Sequence, residues 1–318
     1  MINKIIFKII KLIILILKKT NLDKSIFDKL IFYIGLNQIS ENKKIYSNID
    51  NIQKVELKVF SQNGEDGIID FLLDKLKLIP NSTNFVEIGV GDYRESNTRF
   101  LYNRFYPKGV IIDCLENMET KVKPYVNLWK GDLRICNSQI DSENINQILK
   151  KYCDFKIDIF SLDIDSIDYW IIDKIPKNIS KIFIAEYNPN FGPDLKVSVP
   201  NIAGFDRTKY HYSNLCYGMS LRALIDLMKS KNYYFIGTNL QKMNAFFISN
   251  DFRKENYFKN ISINELKDYT NSNLRESRDK NGNLNFISGN DKLKEIASCE
   301  VVNLEDEKHK SCKIKDLI

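Results

Sequence analysis

The chain has 318 residues, 43% of them hydrophobic and 28% charged, which excludes a disordered polymer and leaves room for one large α/β domain with additions or for two small domains. Its net charge is +6, but residues 1–50 hold nine Lys against four acids, a net of +5, so the remainder is nearly neutral and carries no basic stripe of the kind that binds nucleic acid. Six scattered cysteines without a C-x-x-C pair read as reduced thiols of a cytoplasmic protein, and two histidines, His211 and His309, argue against a His-built zinc centre.

Residues 1–20 read MINKIIFKIIKLIILILKKT, with Lys4, Lys8, Lys11 and Lys18 recurring at helical spacing among Ile and Leu. The uninterrupted apolar run is too short to span a bilayer, so the pattern predicts an interfacial helix with its lysines near anionic head groups at the inner face of a membrane. Packing of the same helix on its own domain or in a dimer seam stays open. A second apolar helix is predicted over 26–36, then a polar linker to residue 50. These 50 residues form a basic N-terminal segment, 51–250 the main domain and 251–318 a C-terminal appendage.

The main domain opens on Ser61-Gln62-Asn63-Gly64-Glu65-Asp66. Ser61 or Asn63 can cap the helix whose core stripe is Ile68, Ile69, Phe71, Leu72 and Leu76. Gln62 and Glu65 could reach a ligand pocket, since this helix precedes the first strand. From residue 84 strands and helices alternate, which predicts an α/β fold around a doubly wound, mostly parallel sheet. Strands are expected at 84–89, 109–113, 126–129, 157–163, 181–187, 232–238 and 244–249, and helices near 96–103, 143–152, 168–175 and 219–231. The last two strands are separated by a turn too short for a parallel crossover, so they form a hairpin and one of them runs antiparallel.

The stretch from Asn84 to Cys114 organises the chain. An apolar strand with Glu87 near its end leads into Gly89-Val90-Gly91, where the missing Cβ atoms let backbone approach a ligand. Asp113 ends the next strand, about twenty residues on, where such folds place an acid on a ribose diol. Cys114 beside it reads as a buried small hydrophobe. Strands four and five end in further polar groups: Asp163, Asp165 and Asp168 after one, Glu186, Tyr187 and Asn188 after the other. Carboxyl ends of adjacent strands border the ligand crevice of an open α/β sheet. Asp163, Asp165, Glu186 and Asn188 make an all-oxygen set suited to Mg2+ or Mn2+. The long segment 187–217 is polar and aromatic, as binding lids often are, and contains His211. Residues 251–318 predict a partly helical appendage with a short strand near 300–304.

Seven strands closing on a hairpin resemble the class I S-adenosylmethionine-dependent methyltransferase fold. More narrowly, Ser61 to Asp66, Phe85-Val86-Glu87-Ile88-Gly89-Val90-Gly91, Ser96-Asn97-Thr98, Leu162-Asp163-Ile164-Asp165-Ser166-Ile167-Asp168-Tyr169-Trp170 and Asn244-Ala245-Phe246-Phe247 resemble FkbM-like methyltransferases, with fainter likeness at Arg275-Glu276-Ser277-Arg278. Ser166 stands where that family's Asp-x-Asp-Gly pattern has glycine. The resemblance implies S-adenosylmethionine as cofactor, with Glu87, Gly89 and Gly91 around its methionine end, Asp113 on the ribose, Asp132 near the adenine and Asn97 as a further cofactor-binding residue. It implies methyl transfer to a hydroxyl of a sugar or another polar, glycan-linked acceptor. Asp163, Asp165 or His211 would serve as base, or a metal at the carboxylates would activate the hydroxyl. Two other readings stay open: a non-catalytic, membrane-associated assembly protein that keeps the fold, and an NAD-dependent dehydrogenase, for which the third glycine of G-x-G-x-x-G is missing.

Overall fold

A computed structural model describes residues 24–253, 257–259, 261–272, 276–305 and 308–318. The expected interfacial segment 1–20 lies outside them, as does Arg275. Helix α1 (Lys24–Lys43) leads into the main domain, followed by α2 (Glu65–Lys75). Strands β1 (Phe85–Ile88), β2 (Gly109–Asp113) and β3 (Leu133–Asn137) enclose α3 (Arg99–Phe105) and α4 (Met118–Val122) between them. Helix α5 (Ile145–Tyr152), β4 (Ile159–Leu162), α6 (Asp168–Lys174) and β5 (Ile182–Glu186) continue the alternation. Then come β6 (Val197–Ser198), α7 (Arg207–Tyr210), α8 (Leu221–Ser230), β7 (Tyr233–Thr238) and β8 (Asn244–Ser249).

The main sheet has seven strands in the order β3-β2-β1-β4-β5-β8-β7. Strands β1 to β5 pair in parallel, and β8 lies antiparallel to both β5 and β7. This is the Rossmann-like methyltransferase arrangement, hairpin included. The chain winds outward in one direction from β1 to β3 and in the other from β4, so the crevice between β1 and β4 is the topological switch point.

Both faces of the sheet are covered, which explains the nearly continuous apolar strands. Val86, Ile88, Val110, Phe160, Leu162 and Phe183 point to one face, where α5, α6 and α8 pack. Phe85, Ile111, Ile159, Ile182 and Ile184 point to the other, against Ile68, Ile69, Phe71 and Leu72 of α2 and Leu101 and Tyr102 of α3. By the same alternation Glu87, Ser161 and Glu186 fall on the α2 face. Helix α1 docks there through Ile39, Phe32 and Leu36 on Val59, Phe60 and Phe100.

The third strand corrects the expectation. Residues 126–129 do not form it: Leu128–Lys130 is a single 3-10 turn, Trp129 is exposed, and the strand is Leu133–Asn137. At the sheet's edge β3 is only half-buried and carries Arg134 and Asn137, so it lacks the apolar run that marks the inner strands. Cys114 also departs from expectation, being exposed beyond the end of β2.

The appendage contains α9 (Leu266–Thr270), α10 (Asn290–Glu295), β9 (Glu300–Asn303) and β10 (Lys310–Lys313). Strand β9 is the one expected near 300–304. It pairs with β10 and with β6 from segment 187–217 in a second, antiparallel sheet. Val301, Ile314 and Leu266 join the main core, so the appendage shares the domain's apolar interior.

Candidate active site

The glycine loop after β1 is shaped by what it touches. Gly89 has φ +86°, and a Cβ built there would lie 1.5 Å from the carbonyl oxygen of Asp163, so the β1 and β4 loops pass in direct backbone contact. Gly91 has φ +55°, and a Cβ there would meet none of the described residues within 4 Å. Its N–H donates to Asp113 Oδ2 at 2.7 Å, and Leu115 N–H donates to Asp113 Oδ1 at 2.9 Å. The result is an acid at the end of β2 clasped to an open, Cβ-free stretch of backbone. At the end of β3, Ser138 N–H donates to the Asp113 carbonyl and the Asn137 amide to the Leu115 carbonyl, at 2.9 and 2.6 Å.

These neighbours separate the two glycines by experiment. Gly91→Ala is expected to fold with a cost of about 1–2 kcal/mol for its left-handed backbone. If the loop holds the S-adenosylmethionine that the motif resemblance implies, affinity for S-adenosylhomocysteine should fall as well, because the new methyl group enters the open space beside Gly91. Gly89→Ala collides with backbone and should destabilise more than Gly91→Ala. Thermal melts and S-adenosylhomocysteine titrations of the two variants check this.

Glu87 is buried and saturated. It accepts from Ser96 Oγ at 2.6 Å, Asn97 N–H at 2.7 Å, and Thr98 N–H and Oγ at 2.9 and 2.5 Å. Burial nevertheless pushes its pKa up against the pull of these donors. Asn97 in turn gives its side-chain amide to Ser161 Oγ at 3.1 Å. Glu87 therefore sets the loop entering α3, and Asn97 ties that loop to β4 through its side-chain amide. Glu65 has a similar place: it accepts from the Asn239 and Asn244 amides at 2.7 and 2.8 Å and so locks α2 to the β7–β8 hairpin.

Three carboxylates converge past the ends of β4 and β5. One oxygen from each of Asp163, Asp165 and Glu186 lies within 4.8 Å of the others. Burial first, then the charges of Asp165 and Asp168, push Asp163 well above the carboxylate range. Burial and the charges of Asp163 and Asp165 do the same to Glu186, which is hydrogen-bonded to Asp163. Asp165 is also raised by burial, against the pull of Arg207, whose Nη1 pairs with its Oδ1 at 2.7 Å. The guanidinium sits 5.1 Å above the ring of Tyr217. Asp165 adopts φ +54°, a left-handed conformation that Asp tolerates better than most residues. Across the β5–β8 ladder Glu186 faces Asn244, whose buried Oδ1 has no hydrogen-bond partner among the described residues.

Several expected site residues lie elsewhere or are occupied. Asp132 precedes β3, at the amino edge of the sheet: its carbonyl accepts from Gly109 N–H, the first residue of β2, and its carboxylate pairs with Arg134 at 2.9 Å. It cannot sit at the adenine end of a crevice at the opposite edge, where Asn137 and Ser138 stand instead. Asn188 is fully buried, with its amide given to the Leu215 and Tyr217 carbonyls and its oxygen accepting from Asn190 N–H, so it has no atom left for a metal. Asp168 accepts from Ile164 and Ser166 N–H and holds the loop of Asp163 and Asp165; burial raises its pKa to about 6. His211 is bonded through Nδ1 to Ser213 Oγ at 2.7 Å and lies 4.2 Å from the Tyr212 ring. Burial lowers its pKa, and the charge it feels is that of Glu295 rather than of the three carboxylates. Arg207 is the site residue that the sequence reading missed. A cleft of about 1330 Å3 beside Pro189, Lys242, Thr270 and Leu293 includes none of the carboxylates.

No family model matches the chain, and no curated protein matches it. Among solved structures it is similar to an S-adenosylmethionine-dependent methyltransferase from Clostridium acetobutylicum ATCC 824, at 10% identity over 58% of this chain and 90% of that one, with a TM-score of 0.37. A putative S-adenosylmethionine-dependent methyltransferase from Listeria monocytogenes aligns at 14% identity over 56% and 97% of the two chains, with a TM-score of 0.36. The O-methyltransferase from Bacillus cereus in complex with SAH aligns at 12% identity over 67% and 89%, also with a TM-score of 0.36.

Proposed function

We propose that the protein is an S-adenosylmethionine-dependent O-methyltransferase acting on a hydroxyl of a sugar or another polar, glycan-linked acceptor. The observation that carries this reading is the clasp between Gly91 N–H and Asp113, open to ligand, at the same sheet edge as the carboxylates Asp163, Asp165 and Glu186. The clasp fits the cofactor: Asp113 has lone pairs left for a ribose diol, and the bare backbone at Gly91 admits the chain beyond it. The sugar acceptor and the FkbM-like family rest on the motif resemblance.

The cofactor, when bound, supplies a methyl group on a positively charged sulfur. The chain's own residues hold the acceptor and take its proton. The Asp163–Glu186 pair would hold the acceptor hydroxyl and take its proton, while the cofactor, held at Gly91 and Asp113, would supply the methyl group to its oxygen. Burial makes whichever member of the pair is ionised a stronger base than an exposed carboxylate. Arg207 opposes the upward pull of burial on Asp165 and orients its carboxylate. The three oxygens also fit a hard divalent cation, with Asn244, whose Oδ1 has no partner among the described residues, opposite Glu186, and such an ion would lower the hydroxyl's pKa.

Calorimetry with S-adenosylhomocysteine on the full chain, with magnesium and then with a chelator, tests the proposal. Micromolar binding is expected, weakened at least about tenfold in Asp113→Ala by loss of the ribose hydrogen bonds. Folded protein that binds in neither condition would overturn the reading. Binding unchanged by the chelator would confine any metal role to the acceptor. Contact of residues 1–20 with a membrane is part of the same proposal; among the described residues no helix is long and apolar enough to cross one.

A further inference from the structure

Helix α1 has two apolar faces, and among the described residues only one of them is covered. Asp28, Phe32, Gly35, Leu36 and Ile39 lie on the side turned to the domain, where Ile39 is 2% exposed. On the opposite side Ile26, Phe27, Leu30, Ile31 and Ile34 recur at the i, i+3, i+4 spacing of a single helical stripe. They are 39, 42, 54, 42 and 67% exposed. Tyr33, 63% exposed, borders the stripe, and exposed Lys29 lies beyond it. The stripe ends at Asn37 and Gln38, both exposed. Contiguous exposure of this size marks an interaction surface rather than ordinary scattered apolar residues.

We propose that this outer face of α1 lies in the surface of a membrane containing anionic lipid. The charge of the adjoining sequence selects lipid over a second copy of the chain: residues 1–30 hold seven Lys against two Asp, so two such segments facing each other would repel. An anionic surface attracts that charge and accepts the apolar side chains together. The position on the fold gives the contact a consequence. Asp28, in the second turn, pairs with buried Arg99 at 2.5 Å, and Arg99 donates to the carbonyl of Arg94 in the loop after β1. The early turns of α1 therefore sit at the carboxyl edge of the sheet, and a bilayer against the stripe would lie beside the crevice. An acceptor tethered to lipid would be presented on that side.

Sedimentation of the full-length protein with vesicles of phosphatidylcholine, with and without phosphatidylglycerol, tests this. The double variant Leu30→Glu, Ile34→Glu should lower partitioning into anionic vesicles by about tenfold or more, since it removes two inserted side chains. The variant Asn37→Glu, Gln38→Glu adds the same charge outside the stripe and should lose far less. Both alter exposed positions, and equal melting temperatures would show that the fold is kept. Partitioning of the Leu30, Ile34 variant equal to wild type, or no binding of wild type to anionic vesicles, would overturn the proposal. So would light scattering that shows a wild-type dimer made monomeric by the variant with lipid binding unchanged. The assay does not involve the cofactor, so its failure leaves the methyltransferase reading intact.

Discussion

Glu186→Gln is expected to reduce methyl transfer by about 10²- to 10⁴-fold, the range for losing a positioned base, while making the metal-free protein more stable at alkaline pH. The two effects have one cause. Glu186 is buried against Asp163 and Asp165, and burial together with their charges raises its pKa. Glutamine keeps the shape and can donate its amide to Asp163, but it cannot take a proton or add a negative charge. Stability from a group whose folded pKa is raised is fully present below its unfolded pKa, about 4 for a carboxyl, and is lost as pH rises through the folded value. Asp163, Asp165 and Glu186 all shift upward, so the melting temperature of metal-free wild type should fall from the ordinary carboxylate range upward. The fall should be shallower in Glu186→Gln. If a divalent cation replaces the proton at these oxygens, magnesium should restore wild-type stability by an amount that grows with pH, because binding displaces protons. Melts across pH with magnesium or chelator, beside single-turnover methylation, check each part. A variant with full activity would remove Glu186 from the mechanism.

Asp66→Ala should produce the largest loss of stability among single substitutions near the site, about 3–6 kcal/mol by urea unfolding. The Oδ2 of Asp66 accepts the N–H groups of Val59, Phe60 and Ser61 at 2.8, 2.6 and 2.8 Å, all buried. Alanine would leave three donors unsatisfied, at about 1–3 kcal/mol each before relaxation. The same loop supports α1 through Val59 and Phe60, so its release should also loosen the N-terminal helix. Amide exchange within α1 would report that directly. A loss below about 1 kcal/mol would mean that water replaces the carboxylate, contrary to the burial of the loop.

What could be read without coordinates was local or periodic. Nearly continuous apolar runs marked the inner strands, because both faces of the sheet are buried. The short turn before Asn244 required an antiparallel hairpin. Gly89, Gly91 and Asp113 stood out because a close backbone approach and an acid at a strand end leave signatures in neighbouring residues. The third strand escaped, since an edge position relaxes the demand for apolar side chains, and with it went the placement of Asp132.

The sequence by itself determined the fold class and the order of groups along the carboxyl edge, since strand periodicity and turn chemistry act over a few residues. Only the tertiary structure decided which polar groups remain free. Glu87 and Asn188 carry the right chemistry, yet their hydrogen-bonding capacity is consumed by Ser96, Asn97 and Thr98 and by Leu215, Tyr217 and Asn190. Asp165 finds its cation in Arg207, 42 residues away, and Asp163 meets Glu186 across two strands. Hydrogen-bond saturation and the convergence of charges depend on distances between segments, which no local pattern encodes.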